Sequence, residues 1–213
     1  MASPHTHDIR SLWGLDYSKL IVNHGSYGAT PLEVLAKQDE WRRRMEAKPT
    51  LFMATELGQA IRDAASAVGA AIGARGEDIA LVDNSTGAIN AILGSIDFEP
   101  GDEILLNDHT YGAVLKTARH ICARTGAVIV TATLPFPDAT AEGLIAAHLN
   151  AVTPRTRLAI IDHITSPSAL VMPLAEMVAA FQGAVRDGVE APLPLADAVA
   201  NMTVLDAIRR AAT

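Results

Sequence analysis

Residues 79–94 read IALVDNSTGAINAILG. Four apolar residues, two of them β-branched, give way to DNSTG and then to apolar residues spaced as on a helix. The pattern predicts a buried strand at 79–82 that hands over to a helix through a small polar turn. That turn has two readings. Ser85 or Thr86 caps the helix, or the turn is a cup in which hydroxyls and helix-start amides meet an anion, Gly87 letting it approach the backbone.

Outward from this stretch the alternation repeats. EILL (103–106), AVIVTAT (127–133) and RLAII (157–161) are short runs rich in aliphatic residues, and helical patterns fill 87–96, 111–125 and 140–152. EPGDE (99–103) and RTGA (124–127) supply turns at the junctions. Strands that are apolar throughout, alternating with helices, predict an α/β fold with a mainly parallel sheet covered on both faces. Pro173 opens a last helix, PLAEMVAAFQ. Upstream, residues 1–31 read as irregular, Pro31 opens a helix over LEVLAKQDEWRRRMEA, Lys48-Pro49 breaks it, and 55–74 form an amphipathic helix. The expected organisation is an N-terminal arm and helix (1–54), a partial large domain (55–182) and a helical tail (183–213). In the tail an amphipathic helix starts near Leu195.

Composition narrows the function classes. The chain has 213 residues, 49% of them hydrophobic, and a formal net charge of −7. Its one basic cluster, Arg42-Arg43-Arg44, reads as a solvated helix face, so nucleic acid is not an expected partner. Cys122 is the single cysteine, which excludes an intrachain disulfide and a cysteine-based zinc site. The N-terminus lacks a signal-peptide core and no apolar run reaches membrane-span length. A soluble, cytoplasmic protein without a metal site is expected.

Two further polar clusters follow strands. NDHTYGA (107–113) places His109 and Tyr111 at a strand-to-helix junction, where an imidazole or phenol suits an aromatic ligand; the plainer alternative is that Asp108 or Thr110 caps the next helix. DHITSPS (162–168) brings Asp162, His163, Thr165 and Ser166 to the same edge, although Ser-Pro is also an ordinary turn. In a parallel sheet, ligands collect at the carboxyl ends of strands. Three polar strand-ends on one edge argue more strongly than any one of them. There is no G-x-G-x-x-G after a strand, no Gly-Lys-Ser/Thr and no G-x-S-x-G, so dinucleotide, Walker and serine-hydrolase motifs are not the explanation.

Taken in order, NHGSYGATP, WRRRMEAKPTLF, ALVDNSTGAIN, DEILLNDHTYGAV and TRLAIIDHITSPSALVMPL resemble the class V aminotransferases, in particular the isopenicillin N epimerase-like branch. The resemblance runs from about residue 10 to 182. It implies part of the three-layer α/β/α large domain of a type I pyridoxal-phosphate-dependent enzyme acting on an amino acid, commonly as a homodimer. It also implies that Ser85, Thr86 and Gly87 hold the phosphate of pyridoxal 5'-phosphate and that His109, with Tyr111 as a nearby competitor, stacks on its ring. Thr165 or Ser166 would contact the ring hydroxyl, and His24 and Gly25 the substrate carboxylate.

The family also needs a lysine that attaches the cofactor and an aspartate facing the pyridine nitrogen, in H-K-W-like and D-G-A-H-like contexts. Neither motif occurs in these 213 residues, and the four lysines are Lys19, Lys37, Lys48 and Lys116. No catalytic residue is therefore expected, and the chain reads as truncated and inactive alone, or as a ligand-binding or subunit-interaction remnant. DGVEAPLPLADAVANMTVLDAIRRAA resembles the C-terminal end of the glucose–fructose oxidoreductase and inositol dehydrogenase family, which implies a replaced tail. A sheet without its later strands implies marginal stability or self-association.

Overall fold

A computed structural model describes residues 9–185. The chain divides into two compact units, Met1–Ala64 and Ala65–Thr213. The expected tail helix from Leu195 lies outside the described residues.

The N-terminal unit starts with a 3-10 turn, Ile9–Leu12, and the one-turn helix α1 (His24–Tyr27), so the arm is less irregular than its sequence suggests. Pro31 precedes α2 (Leu32–Ala47), which stops at Lys48; Pro49 then opens α3 (Pro49–Leu51). Proline lacks the N–H that a helix interior needs but serves at a helix start, which explains the break and the immediate restart. A π-turn at Phe52–Glu56 carries the helix on into α4 (Leu57–Ile72), so helical structure begins before the expected residue 55. Phe52 is buried and meets Trp41 edge to face, at 6.1 Å between centroids. Two arginines of the cluster are ion-paired: Arg42 to Asp39 at 2.7 Å and Arg44 to Glu56 at 2.6 Å.

The second unit holds α5 (Ser85–Gly94), β1 (Glu103–Asn107), α6 (Gly112–Thr125), β2 (Val128–Ala132), α7 (Ala141–Leu149), β3 (Thr156–Ala159) and α8 (Leu174–Val185). The strands form one parallel sheet in the order β2-β1-β3. All five residues of β1 are buried. Ile104 and Leu106 join Leu93 of α5 and Val114, Ala118 and Ile121 of α6 in one cluster. On the opposite face Asn107 meets His148 of α7, and Leu144 of α7 packs with Met172, just ahead of α8, and Met177 of α8. Alternate residues of β1 thus point into different helical layers, giving the expected α/β/α arrangement.

The expected strand at 79–82 does not form among the described residues. The backbone is extended at Ile79 (φ −95°, ψ 121°), yet the sheet includes only the three later strands. A strand exists through its ladder partner, and neither β2 nor β3 takes this segment on its free edge. Leu81 and Val82 consequently remain about half exposed.

The sheet's amino-terminal edge is closed by Glu103. Its carboxylate accepts bonds from the Thr153 hydroxyl at 2.5 Å and from Arg155 at 2.9 and 3.1 Å, joining β1 to the start of β3. The Thr153 hydroxyl first, then the Arg155 guanidinium, hold this carboxyl below the usual carboxylate range.

Candidate cofactor site at the carboxyl edge of the sheet

Because the strands are parallel, the residues after β1 and after β3 emerge side by side on one edge. Helices α5 and α6 pack against the same face and are tied by Asn90, whose Nδ2 donates to Thr117 Oγ1 at 3.1 Å. Each of these residues is the sixth of its helix, so both helix starts come to this edge.

At the start of α5 the capping residue is Asn84. Its Oδ1 accepts from Gly87 N at 2.9 Å, which corrects the expectation that Ser85 or Thr86 caps. The Gly87 amide is thereby occupied. The amides of Ser85 and Thr86 belong to the first turn, where a helix provides no internal acceptor. A Cβ on Gly87 would meet only Asn84 Oδ1, at 3.7 Å, so its bare backbone leaves room in front of the turn. The N-terminal end of the α5 dipole adds positive potential here.

After β1, a tight turn presents His109. Asn107 Oδ1 accepts from the His109 backbone N at 3.0 Å, while Thr110 Oγ1 accepts from Asn107 N at 3.1 Å. The imidazole of His109 is only 16% exposed. Its Nδ1 lies 2.5 Å from Ser168 Oγ, and Phe136 contacts the ring edge to face at 5.3 Å. The ring is thus held from two directions. Tyr111 stands just ahead of α6 with its side chain exposed, and its backbone N donates to Asp162 Oδ2 at 3.2 Å.

After β3, residues 163–172 double back, with a bridge between Ile164 and Val171. Thr165 organises the bend. Its Oγ1 accepts from Leu170 N at 2.9 Å and is hydrogen-bonded to Ser168 Oγ at 2.8 Å, and the residue is 1% exposed. Ala169 takes a left-handed conformation, φ 53°, to close the turn. A continuous chain therefore runs from Leu170 N through Thr165 and Ser168 to His109. Ser166, by contrast, is exposed. Of the two residues expected near a ring hydroxyl, Thr165 is committed inside the loop and Ser166 is accessible.

The structure therefore brings His109 and Thr165 together through Ser168, with Tyr111 and Ser166 in adjoining turns, and sets Ser85, Thr86 and Gly87 on the same edge. His24 and Gly25 are exposed in α1 of the N-terminal unit. Lys116 is exposed on α6. Sequence reasoning missed Ser168, Phe136, Asn107 and His148. The signals were present: a polar residue ending the apolar strand EILLN, a histidine inside the apolar pattern LIAAHL, and an aromatic between two prolines in LPFP.

Residues 27–199 match the aminotransferase class-V family model. The chain belongs to this family. It is 36% identical over 172 residues to a putative L-cysteine desulfhydrase 1 of Oryza sativa subsp. japonica, covering 74% of this chain and 36% of that protein. It is 31% identical over 197 residues to an isopenicillin N epimerase of Streptomyces clavuligerus, covering 90% and 49%. The cystine C–S lyase C-DES, solved with its product cysteine persulfide, superposes with a TM-score of 0.70 at 25% identity, covering 75% of this chain and 42% of that one. A mutant of C-DES carries glycine covalently linked to its PLP cofactor (TM-score 0.69, 24% identity, 76% and 42% covered). The class V chain described here thus spans less than half the length of these relatives. No helix among its described residues is long and apolar enough to cross a membrane.

Proposed function

We propose that the carboxyl edge of the sheet binds pyridoxal 5'-phosphate. The observation that carries this reading is the hydrogen-bonded chain Leu170–Thr165–Ser168–His109, which fixes an imidazole on the carboxyl edge of the sheet; the Ser85 and Thr86 amides at the start of α5 have no internal acceptor. These residues fit the group: the first turn of α5 suits a phosphate, and a ring held by Ser168 and Phe136 suits a planar heterocycle.

When bound, pyridoxal phosphate supplies an electron sink for breaking bonds at the α or β carbon of an amino acid. The chain's own residues bind and orient. Ser85 and Thr86 would donate to phosphate oxygens, and Gly87 would keep the approach open. His109 would supply a planar face to the ring, and the exposed Ser166 would supply a hydroxyl donor. The substrate class is an amino acid, and cysteine desulfhydrases and isopenicillin N epimerases are the relatives that suggest it.

These 213 residues hold the cofactor without covalent attachment and do not turn an amino acid over by themselves. Lys116, the one lysine of the second unit, is exposed on α6 as the fifth residue of that helix. A second reading, a chain that acts by association with another copy, is favoured by the exposed apolar residues Leu20, Val22 and Tyr27, which are 91%, 75% and 94% exposed. Sedimentation across a concentration series separates the two.

The test of the main reading is titration of the purified chain with pyridoxal phosphate, pyridoxal and inorganic phosphate. Binding is expected for the first and third, weakened about tenfold or more in Thr86→Val, as for loss of a hydrogen bond to a charged group. His109→Ala is expected to weaken pyridoxal phosphate and spare inorganic phosphate. Equal affinity for pyridoxal and its phosphate would refute the cup. Cofactor mass on a lysine after borohydride reduction would refute the non-covalent mode.

A further inference from the structure

Behind His109 lies a polar contact that the cofactor reading does not use. Asn107 and His148 are 3% and 0% exposed, and their side chains meet across the β1–α7 layer at 3.4 Å, Asn107 Nδ2 to His148 Nε2. On the far side, His148 Nδ1 lies 2.8 Å from the carbonyl oxygen of Leu144.

The donor and acceptor roles along this path admit one solution. The His109 backbone N–H can only donate, so the Asn107 atom facing it must be the amide oxygen. The amide nitrogen then faces His148 and donates, so Nε2 must be unprotonated. The Leu144 carbonyl can only accept, so Nδ1 carries the proton. Every member is satisfied, and the imidazole is neutral. Burial holds its pKa below the ordinary 6.5, against the pull of the Leu144 carbonyl and Asp108, which agrees with that assignment.

We propose that His148 is a positioning residue for the candidate cofactor site: held as the Nδ1–H tautomer, it orients Asn107, whose oxygen anchors the His109 backbone and so sets where the imidazole stands. The ligand consequence rests on the pyridoxal phosphate reading; the geometric part does not. Removing the Nε2 acceptor frees the Asn107 amide to rotate or to recruit water, and the turn that carries His109 loosens. The phosphate cup on α5 lies outside this path, so the two halves of the site respond differently.

The test uses the whole chain. In the ligand-free protein, long-range proton–nitrogen NMR is expected to show His148 protonated at Nδ1 and bare at Nε2; a proton on Nε2 overturns the proposal outright. His148→Leu removes the acceptor at similar size, His148→Gln restores one through its amide oxygen, and Met177→Ala disturbs the same helical layer without touching Asn107. Amide exchange at His109, taken relative to Leu105 and Leu106, is expected to quicken about tenfold in His148→Leu, as for loss of one buried hydrogen bond. It should return to within about twofold in His148→Gln and stay put in Met177→Ala. An unchanged ratio in His148→Leu, or equal changes in His148→Leu and Met177→Ala, overturns the proposal. Pyridoxal phosphate affinity is expected to fall with the His109 response while inorganic phosphate affinity holds. A chain that shows the amide response yet takes up no pyridoxal phosphate supports the positioning role and removes the cofactor reading.

Discussion

Replacing Thr165 by valine keeps the side-chain shape and deletes one hydroxyl. That hydroxyl is the hub of the bend after β3: it accepts from Leu170 N at 2.9 Å, meets Ser168 Oγ at 2.8 Å, and sits in a residue 1% exposed. No cavity forms, so packing loss is small. Two hydrogen bonds disappear, each contributing about 1 kcal/mol net, with extra cost where the stranded Leu170 amide stays out of water. Ser168 keeps His109 as a partner, so its share is the smaller. The sum is about 2 kcal/mol, or about 4–8 °C in melting midpoint for a chain of this size. Urea denaturation and a thermal scan measure it, with Thr165→Ser expected to recover most of the loss. Ser166→Ala, at an exposed position next door, is expected to stay within about 0.5 kcal/mol of the parent. Pyridoxal phosphate affinity is expected to drop in Thr165→Val, because Ser168 loses the Thr165 bond that fixes its hydroxyl and so orients His109 less tightly. A valine variant within about 0.5 kcal/mol of the parent would refute the assignment of the bend to this hydroxyl.

Two further outcomes follow from the same structure. His148 has a folded-state pKa below 6.5, so the unfolded chain binds the extra proton first and stability falls as pH is lowered below about 6.5; His148→Gln should flatten that part of the pH–stability curve, and an unchanged slope would contradict a buried neutral imidazole. Gly126 ends α6 at φ 81°, and a Cβ there would stand 3.1 Å from Pro100 Cβ. Gly126→Ala is therefore expected to cost about 2 kcal/mol in chemical denaturation, between the left-handed penalty and the crowding of the turn.

The layered sheet was legible because β1, β2 and β3 are short apolar runs bounded by turn residues, although only the central strand β1 is buried along its whole length and β2 and β3 stay partly exposed. The segment at 79–82 has the same local texture and failed. Local texture specifies an extended backbone, whereas a strand also needs a neighbour, and neighbours are assigned by the rest of the chain. The site shows the same division. His109, Thr165 and the DNSTG turn stood out as polar residues at strand ends, but the capping role fell to Asn84. Which of Asn84, Ser85 and Thr86 would cap depended on φ and ψ rather than on residue type alone, since Asn, Ser and Thr all serve.

Sequence by itself determined the period of the elements, the burial of β1 on both faces, the polar character of one sheet edge, and membership in a recognisable family. Those properties follow from side-chain chemistry repeated along a line. Only the tertiary structure decided that Ser168 reaches His109 across 59 positions of chain and that His148 reaches Asn107 across 41. Contacts at such separations are created by the parallel register of β1 with β3 and by the packing of α7 on the far face. No local pattern encodes which atoms those layers bring within hydrogen-bonding distance.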